Sequence, residues 1–292
     1  MATYTAKATT SSKASGTTLT TSSLSFTPGA FVLVGLAYDD AAGHPTSVTW
    51  GNRLLANRPL AATRNPGTYD IAMSVWVLPR VKRSTSHVIT ATWSSAIVER
   101  AMIVGEINGK NRIDEAAGNN DATSTGNPVT GTTATLFDAD DFAIAYFASE
   151  GPSGDTAGTL QINDGGTWTT ATGTQRVGTV GAPPASNVTL HAGWLQLTSA
   201  SATQSRIQTA TSRLWTSAAI TFREAQDLRQ AVTPSDVNAV ELIFEDHTPA
   251  LDPDKASYVY NQTTDEWEVF ESSDMSTRIA HKVLSSGIWT AG

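Results

Sequence analysis

The chain has 292 residues, a formal net charge of −8, 40% hydrophobic and 16% charged residues, and no cysteine. This length is enough for one large domain with an appendage, or for two domains. The missing cysteine excludes disulfides, cysteine-ligated zinc and thiol catalysis. No run approaches the ~18 apolar residues of a membrane-spanning helix. The Thr/Ser-rich start lacks the apolar core of a secretory signal. Neither a membrane-spanning helix nor a secretory signal is therefore expected.

The negative charge is concentrated in the last quarter of the chain. Residues 1–224 hold 15 acidic and 15 basic side chains, whereas residues 225–292 hold 12 acidic against 4 basic ones. Such a segment is either a solvated acidic face or a surface that docks on a basic partner. Phosphate contacts need clustered Lys and Arg, so nucleic acid is not an expected partner.

In chain order, the first elements are β-strands. Residues 1–24 form a polar arm, predicted to be flexible or to add an edge strand. The run "FVLVGLAY" at 31–38 is apolar on both faces, which predicts a strand inside a packed sheet. "SVTWGNRLLA" at 47–56 predicts a hairpin that turns at Gly51. Further strands are predicted for "IAMSVWVL", "HVITATW" and "AMIVGEI".

The pattern then repeats at an offset of 111 to 119 residues. "FAIAYFAS" at 142–149 echoes residues 31–38, and Trp194 echoes Trp76. The echo allows two small sandwiches in tandem or one large sandwich built by both halves. The second is favoured because residues 108–131 lack the Pro-rich character of a linker. The predicted fold is all-β: a large antiparallel β-sandwich over residues 25–224 with an internal two-fold echo.

Residues 225–292 are predicted to form a small mixed α+β segment. It would contain a short helix at 233–237, a hairpin at 256–272 with cross-strand aromatic pairs, and a second short helix at 276–287. The segment has few aliphatic core residues, so we expect it to dock on the sandwich or on a neighbouring subunit.

The order "SVTWGNRLL", "MSVWVL", "HVITATWSS", "AMIVGEING", followed by a second pass that ends in "WTSAAITFRE", resembles a known type of domain. It is similar to the jelly-roll, lectin-like β-sandwich of tailed-phage virion proteins and bacterial surface proteins. The resemblance covers about residues 25–224 and implies a structural or adhesive role. It carries over no catalytic motif. The sequence departs from it in the acidic C-terminal segment and in "NRLL", where a second Gly often stands.

Two acidic stretches are candidate calcium sites, because Ca²⁺ takes carboxylates and carbonyls from loops. The first is "FDADDF", with Asp138, Asp140 and Asp141, and the second is "LDPDKAS" at 251–257. Glycan hydrolysis by paired carboxylates is an alternative use of Asp39 and Asp40, or of residues 138–141. Zinc-binding His pairs, a nucleophile elbow and a phosphate loop are all missing from the sequence, so an enzyme is not expected.

The eight tryptophans divide into two groups. Those in or beside strands are expected in the core, namely Trp76, Trp93, Trp194 and Trp215. Trp168, in the loop "NDGGTWTT", is the first candidate for stacking on a sugar ring. Trp289, near the C-terminus, is the second.

The sequence therefore predicts a non-enzymatic structural protein of a tailed-phage virion, either a tail or fibre component or a capsid-decorating subunit, assembled in the host cytoplasm. Its partners would be other virion subunits and further copies of itself. The alternative is a carbohydrate-binding adhesin that contacts host surface glycans. A glycan-degrading enzyme is the third hypothesis. No cofactor is expected apart from calcium.

Overall fold

The computed structural model describes residues 2–39, 43–65, 71–79, 81, 85–110, 112–121, 127–152, 158–180, 187–208 and 212–224. In the last quarter it describes only strand residues, 241–242, 257–261, 266–270, 278–283 and 289–291. All regular elements in these ranges are β-strands. The all-β prediction is therefore confirmed. None of the described residues belongs to a helix that could cross a membrane.

The first half of the chain supplies nine strands: β1 (Thr3–Ser12), β2 (Gly16–Leu24), β3 (Phe31–Asp39), β4 (Ser47–Trp50), β5 (Arg53–Leu54), β6 (Ala56–Asn65), β7 (Ile71–Leu78), β8 (His87–Ile97) and β9 (Arg100–Asn108). They form two antiparallel sheets. The first inner sheet has the order β1-β9-β3-β7-β6, and the first outer sheet has the order β2-β8-β4-β5.

The second half supplies eight strands: β10 (Arg112–Asp121), β11 (Phe142–Glu150), β12 (Leu160–Asp164), β13 (Thr167–Thr170), β14 (Gly173–Gly178), β15 (Val188–Gln196), β16 (Ser205–Ile207) and β17 (Trp215–Arg223). The second inner sheet has the order β10-β17-β11-β15-β14, and the second outer sheet has the order β13-β12-β16. Residues 128–136 extend this outer sheet, since Thr130 N donates to Ser205 O at 2.8 Å and Thr133 N to Thr203 O at 2.9 Å.

Local sequence explains why the inner strands are central. Every residue of β11, and every residue of β3 except Asp39, is buried, as an apolar run without alternation requires. In the outer strand β2, by contrast, Leu19 is buried between exposed threonines. The predicted hairpin at Gly51 is present: Trp50 pairs with Arg53, and Gly51 has a φ of 57°.

The four sheets stack in layers around three apolar cores. One core lies between the first inner and outer sheets and includes Trp50, Trp76 and Trp93. A smaller core, with Phe147 and Ile162, lies between the second inner and outer sheets. The third, here called the joint core, takes residues from both inner sheets and holds the two halves together. Each half thus builds its own sandwich, and the joint core unites the two into one large stack.

The two halves are related by an approximate two-fold arrangement. The strand orders of the inner sheets correspond one to one, from β1 and β10 at one edge to β6 and β14 at the other. The sheets pack with these orders reversed, so β1 lies beside β14 and β6 beside β10. Ser11 Oγ, on β1, donates to Gly178 O at 3.1 Å. The chain therefore packs like an isologous dimer whose two subunits are joined covalently.

Trp76 and Trp194 correspond in the sequence echo, but they point to different faces of their sheets. Trp76 packs in the core between the first inner and outer sheets, whereas Trp194 packs against the joint core. Their offset of 118 residues is even, while that of β3 and β11 is odd. Because strand side chains alternate in direction, a one-residue difference in offset reverses the face. Trp76 is buried in the core as predicted, whereas Trp194 is half-buried against the joint core.

Residues 1–24, the predicted polar arm, form β1 and β2. These strands are edges of the first inner and first outer sheets respectively. β1 pairs with β9, and β2 pairs with β8. The prediction left a flexible arm and an edge strand open, and the structure shows the edge strand.

The chain divides into two compact units, Met1–Ala225 and Gln226–Gly292. The second unit is an antiparallel sheet of β18 (Glu241–Leu242), β19 (Ser257–Asn261), β20 (Glu266–Phe270), β21 (Arg278–Val283) and β22 (Trp289–Ala291). The hairpin prediction is confirmed, with Tyr260 opposite Trp267.

The helix predicted at 276–287 is wrong. Residues 278–283 form β21, whose backbone pairs on both sides, with β20 and with β22. A ladder on each side of so short a segment outweighs a weak helical tendency. The helix predicted at 233–237 lies outside the described residues.

The joint core depends on one close approach. Gly35, in β3, lies under the Tyr146 ring of β11, and a Cβ at Gly35 would stand 2.5 Å from Tyr146 Cε1. Tyr146 is fully buried. The side chain of the second half therefore occupies the space left by the missing side chain of the first.

We expect Gly35→Ala to lower the free energy of unfolding by about 1–3 kcal/mol, because the added methyl overpacks the joint core. Urea denaturation followed by tryptophan fluorescence measures the loss. The matched control is the same substitution in a Tyr146→Leu background, where the ring is gone and the additional cost of Gly35→Ala should fall. An equal cost in both backgrounds would show that the Gly35–Tyr146 contact does not limit packing.

Candidate functional site

The acidic residues before β11 gather at one end of the second inner sheet. Asp138, Asp140 and Asp141 each offer a carboxylate oxygen, and these oxygens all lie within 4.8 Å of one another. Asp138 is half-buried, Asp140 is exposed and Asp141 is buried. The structure thus brings together the three residues predicted from "FDADDF". We call them the Asp138 cluster.

Asp141 is the unusual member of the Asp138 cluster. Its side chain has no exposed surface, and neither carboxylate oxygen has a hydrogen-bond partner. Its backbone is firmly held, since Asp141 O accepts from Leu197 N at 2.8 Å and from Gln196 Nε2 at 3.0 Å. A buried carboxylate without a donor is costly, so this position requires a physical explanation.

Asp114, on β10, stands behind Asp141. Burial contributes most, and the neighbouring Asp114 carboxylate adds to it, so that the pKa of Asp141 is raised to about 8. Asp114 accepts from Phe137 N at 2.8 Å, and its Oδ1 lies 3.2 Å from Arg223 Nε. Asp114 therefore fixes the turn that carries the cluster while adding negative charge beside Asp141.

Lys110 adds a positive charge beside the Asp138 cluster, in addition to that of Arg223. Its side chain is 1% exposed, and its Nζ lies 2.9 Å from Asp140 Oδ2 and 3.9 Å from Glu224 Oε1. Lys110 belongs to the connection between β9 and β10, where the first half of the chain passes into the second. One buried ammonium thus joins this connection to the turn before β11.

A second buried carboxylate in the same chain shows the contrast. Glu106, on β9, is 2% exposed, and it accepts from Thr27 N and Thr27 Oγ1, both at 2.8 Å. Lys7 Nζ lies 3.0 Å from its Oε1. Burial alone would raise the pKa of Glu106, but these contacts outweigh it and hold the pKa below its ordinary value. Glu106 is satisfied by the protein, whereas Asp141 is not.

The arrangement limits the chemistry that the cluster can perform. A carboxyl that protonates a glycosidic oxygen must touch it, and buried Asp141 has no surface with which to do so. An oxygen-only set of ligands suits a hard cation such as Ca²⁺. Asp39 ends β3 in the other inner sheet and does not join the cluster. Asp40 and the second candidate calcium stretch, apart from Ser257, lie outside the described residues.

Trp168, the first candidate for sugar binding, lies on β13 at the surface of the second outer sheet. Its ring is half-buried, and the Arg206 guanidinium carbon stands 4.1 Å from the ring centroid. Arg206 Nε donates to Gln161 Oε1 at 2.9 Å. One face of the Trp168 ring is therefore covered by the Arg206 guanidinium, which Gln161 holds in place. Trp289, the second candidate, lies in β22, and its side chain falls outside the described part.

The sequence analysis missed Asp114, Lys110 and Arg223 as neighbours of the Asp138 cluster. They stand up to about a hundred positions apart along the chain, and they meet only because β10 and β11 both pair with β17. The sequence echo was a signal for these contacts. Because β1, β9 and β3 are neighbours in the first inner sheet, their counterparts β10, β17 and β11 should be neighbours in the second.

No family model matches the chain, and no curated protein or solved structure does so either.

Glu106 makes the fold sensitive to acid. Its folded pKa is lowered, so the stability it contributes is fully present above the unfolded value of 4.5 and is lost as the pH falls through the folded pKa. We expect Glu106→Gln to cost about 1.5–3 kcal/mol at pH 7. Thermal melts across the pH range should show this difference shrinking below pH 4.5. A difference independent of pH would contradict a role for the charge.

Proposed function

We propose that the protein is a non-enzymatic structural component of a tailed-phage virion that acts through protein–protein contacts. The observation that carries the proposal is the layered stack of residues 2–224. Its large aromatic side chains, such as Trp50, Tyr38 and Tyr146, are used inside the cores. A rigid β-stack of this kind suits a durable building block. It agrees with the resemblance of residues 25–224 to jelly-roll virion domains.

The outward face of the first outer sheet supports the same proposal. There, hydroxyl side chains of three neighbouring strands stand in register, while the residues between them, such as Leu19 and Val48, are buried. The two rows are Thr18, Thr92 and Ser47, and Thr20, Thr90 and Thr49. These uncharged hydroxyl groups can hydrogen-bond to a partner subunit.

The segregated charge supplies a second contact surface. All of the net negative charge falls in residues 225–292. In a virion this acidic unit would face a basic surface on a neighbouring subunit, and complementary charge would set the register of docking.

Association with particles tests the proposal. Virions released from a host that carries the gene are purified on a density gradient, and the chain is measured by quantitative mass spectrometry and immunogold labelling. We expect a fixed number of copies per particle and a label confined to the tail or the capsid surface. A non-structural phage protein from the same lysate is the control. Recovery of the chain only in the particle-free fraction would refute the proposal.

Carbohydrate binding is the second candidate function, and Trp168 is the observation that favours it. An indole at the surface with a guanidinium and an amide beside it, Arg206 and Gln161, offers both a stacking face and hydrogen-bond donors for a sugar. A virion protein with such a site would bind host surface glycans.

We expect Trp168→Ala to lower the affinity for any bound glycan at least about tenfold, which corresponds to the ~1.4 kcal/mol of one lost stacking contact. A glycan array followed by titration measures it. Phe137→Ala is a matched control, because Phe137 is also a surface ring, 53% exposed, with an arginine 4.0 Å above it. Equal binding by wild type and Trp168→Ala, or no glycan signal from wild type, would remove this candidate.

A further inference from the structure

We propose that Asp138, Asp140 and Asp141 bind a divalent cation, Ca²⁺, at the turn before β11. This inference goes beyond the proposed function and does not depend on it. It assigns a ligand to the Asp138 cluster and a structural role to that ligand, which is to fasten the start of the second inner sheet.

The geometry of the carboxylates fits calcium. Calcium–oxygen distances are 2.3–2.6 Å, so two oxygens on opposite sides of the ion stand at most about 5.2 Å apart. The three carboxylate oxygens lie within 4.8 Å of one another. Separations of this size are those expected of oxygens that share one ion. Asp138 and Asp140 reach the surface, so water can complete the six to eight ligands that calcium takes.

The second observation, independent of the clustering, is the unpartnered carboxylate of Asp141. This side chain is fully buried, no N–H or hydroxyl group of the described residues donates to its oxygens, and one of them points into the group formed with Asp138 and Asp140. The Asp114 carboxyl is its one polar neighbour placed to share a proton with it. Glu106 shows that the same fold supplies donors to a buried acid. A bound cation would supply Asp141 with the missing counter-charge.

The local charge also leaves room for a divalent ion. Four carboxylates meet here, those of Asp114 and of the Asp138 cluster, against the two cations Lys110 and Arg223. With all four carboxylates ionised, the excess is two negative charges before exposed Glu224 is counted. Lys110 hydrogen-bonds one oxygen of Asp140, Oδ2, and the carboxylate has a second oxygen for the proposed ion. The rival explanation is a proton shared between Asp141 and Asp114.

Calcium titration decides between the ion and the proton. The full chain, dialysed against EGTA, is titrated with CaCl₂ by isothermal calorimetry and melted with and without the ion. We expect about one Ca²⁺ per chain and a rise in Tm of roughly 5–10 °C at a hundredfold excess over the Kd. MgCl₂ should stabilise less, because Mg²⁺ demands tighter octahedral geometry and releases water reluctantly.

Three variants locate the ion. Asp141→Asn should abolish the calcium-dependent rise in Tm, and without calcium it should melt near wild type because the neutral amide needs no counter-charge. Asp138→Asn, at a half-buried position, should weaken binding at least about tenfold, and it serves if Asp141→Asn does not fold. Asp39→Asn removes an equal charge from the end of β3 and should bind calcium like wild type.

Three results would overturn the proposal. The first is a wild-type chain whose Tm and calorimetric signal do not respond to CaCl₂, which would leave the proton shared by Asp141 and Asp114. The second is an Asp138→Asn variant that keeps full calcium affinity. The third is a stronger response to MgCl₂ than to CaCl₂, which would refute the assignment to calcium.

Discussion

The packing of the two inner sheets on one another is the constraint on which the rest of the structure depends. Both sheets are apolar on both faces, because β3, β7 and β9 and their counterparts β11, β15 and β17 are almost entirely buried. An outer sheet covers one face of each, but the other face would meet water if either half stood alone. The joint core removes that exposure, so the halves stabilise each other by burying apolar surface.

This constraint also determines where charge can be placed. With the sheet faces occupied, two buried carboxylates lie near the ends of strands. Glu106 lies near the end of β9, and Asp141 lies directly before β11. At the first place the chain supplies Thr27 and Lys7, and the carboxylate is neutralised internally. At the second, Lys110 and Asp114 lie near the Asp141 carboxylate, which is not neutralised in this way. Both carboxylates lie at the same end of the stack, where Phe31 packs on Phe222, so equivalent strand ends of the two halves differ in chemistry.

Much of the fold could be predicted from local sequence, because apolar runs without alternation identify central strands and Gly51 identifies a turn. The echo predicted the duplication, but not which faces would meet, since that depends on the parity of an offset as in Trp76 and Trp194. At the candidate site, adjacency along the chain was enough for Asp138, Asp140 and Asp141. Asp114 and Arg223 could not be found from local sequence, because their contacts are made by strand pairing between distant segments, and only the echo indicates that pairing. The helix prediction for the segment that forms β21 was wrong for the same reason, because the pairing strands on both sides, rather than its own residues, determine its conformation.

The contact between Gly35 and Tyr146 shows what joining the two halves in one chain permits. In the sequence echo these residues occupy equivalent positions, so in a symmetric pair of identical halves each would face its own copy across the symmetry axis. Two tyrosines would collide there, and two glycines would leave a hole. In a single polypeptide the two positions can carry different residues. The Tyr146 ring can then fill the space that the missing side chain of Gly35 leaves.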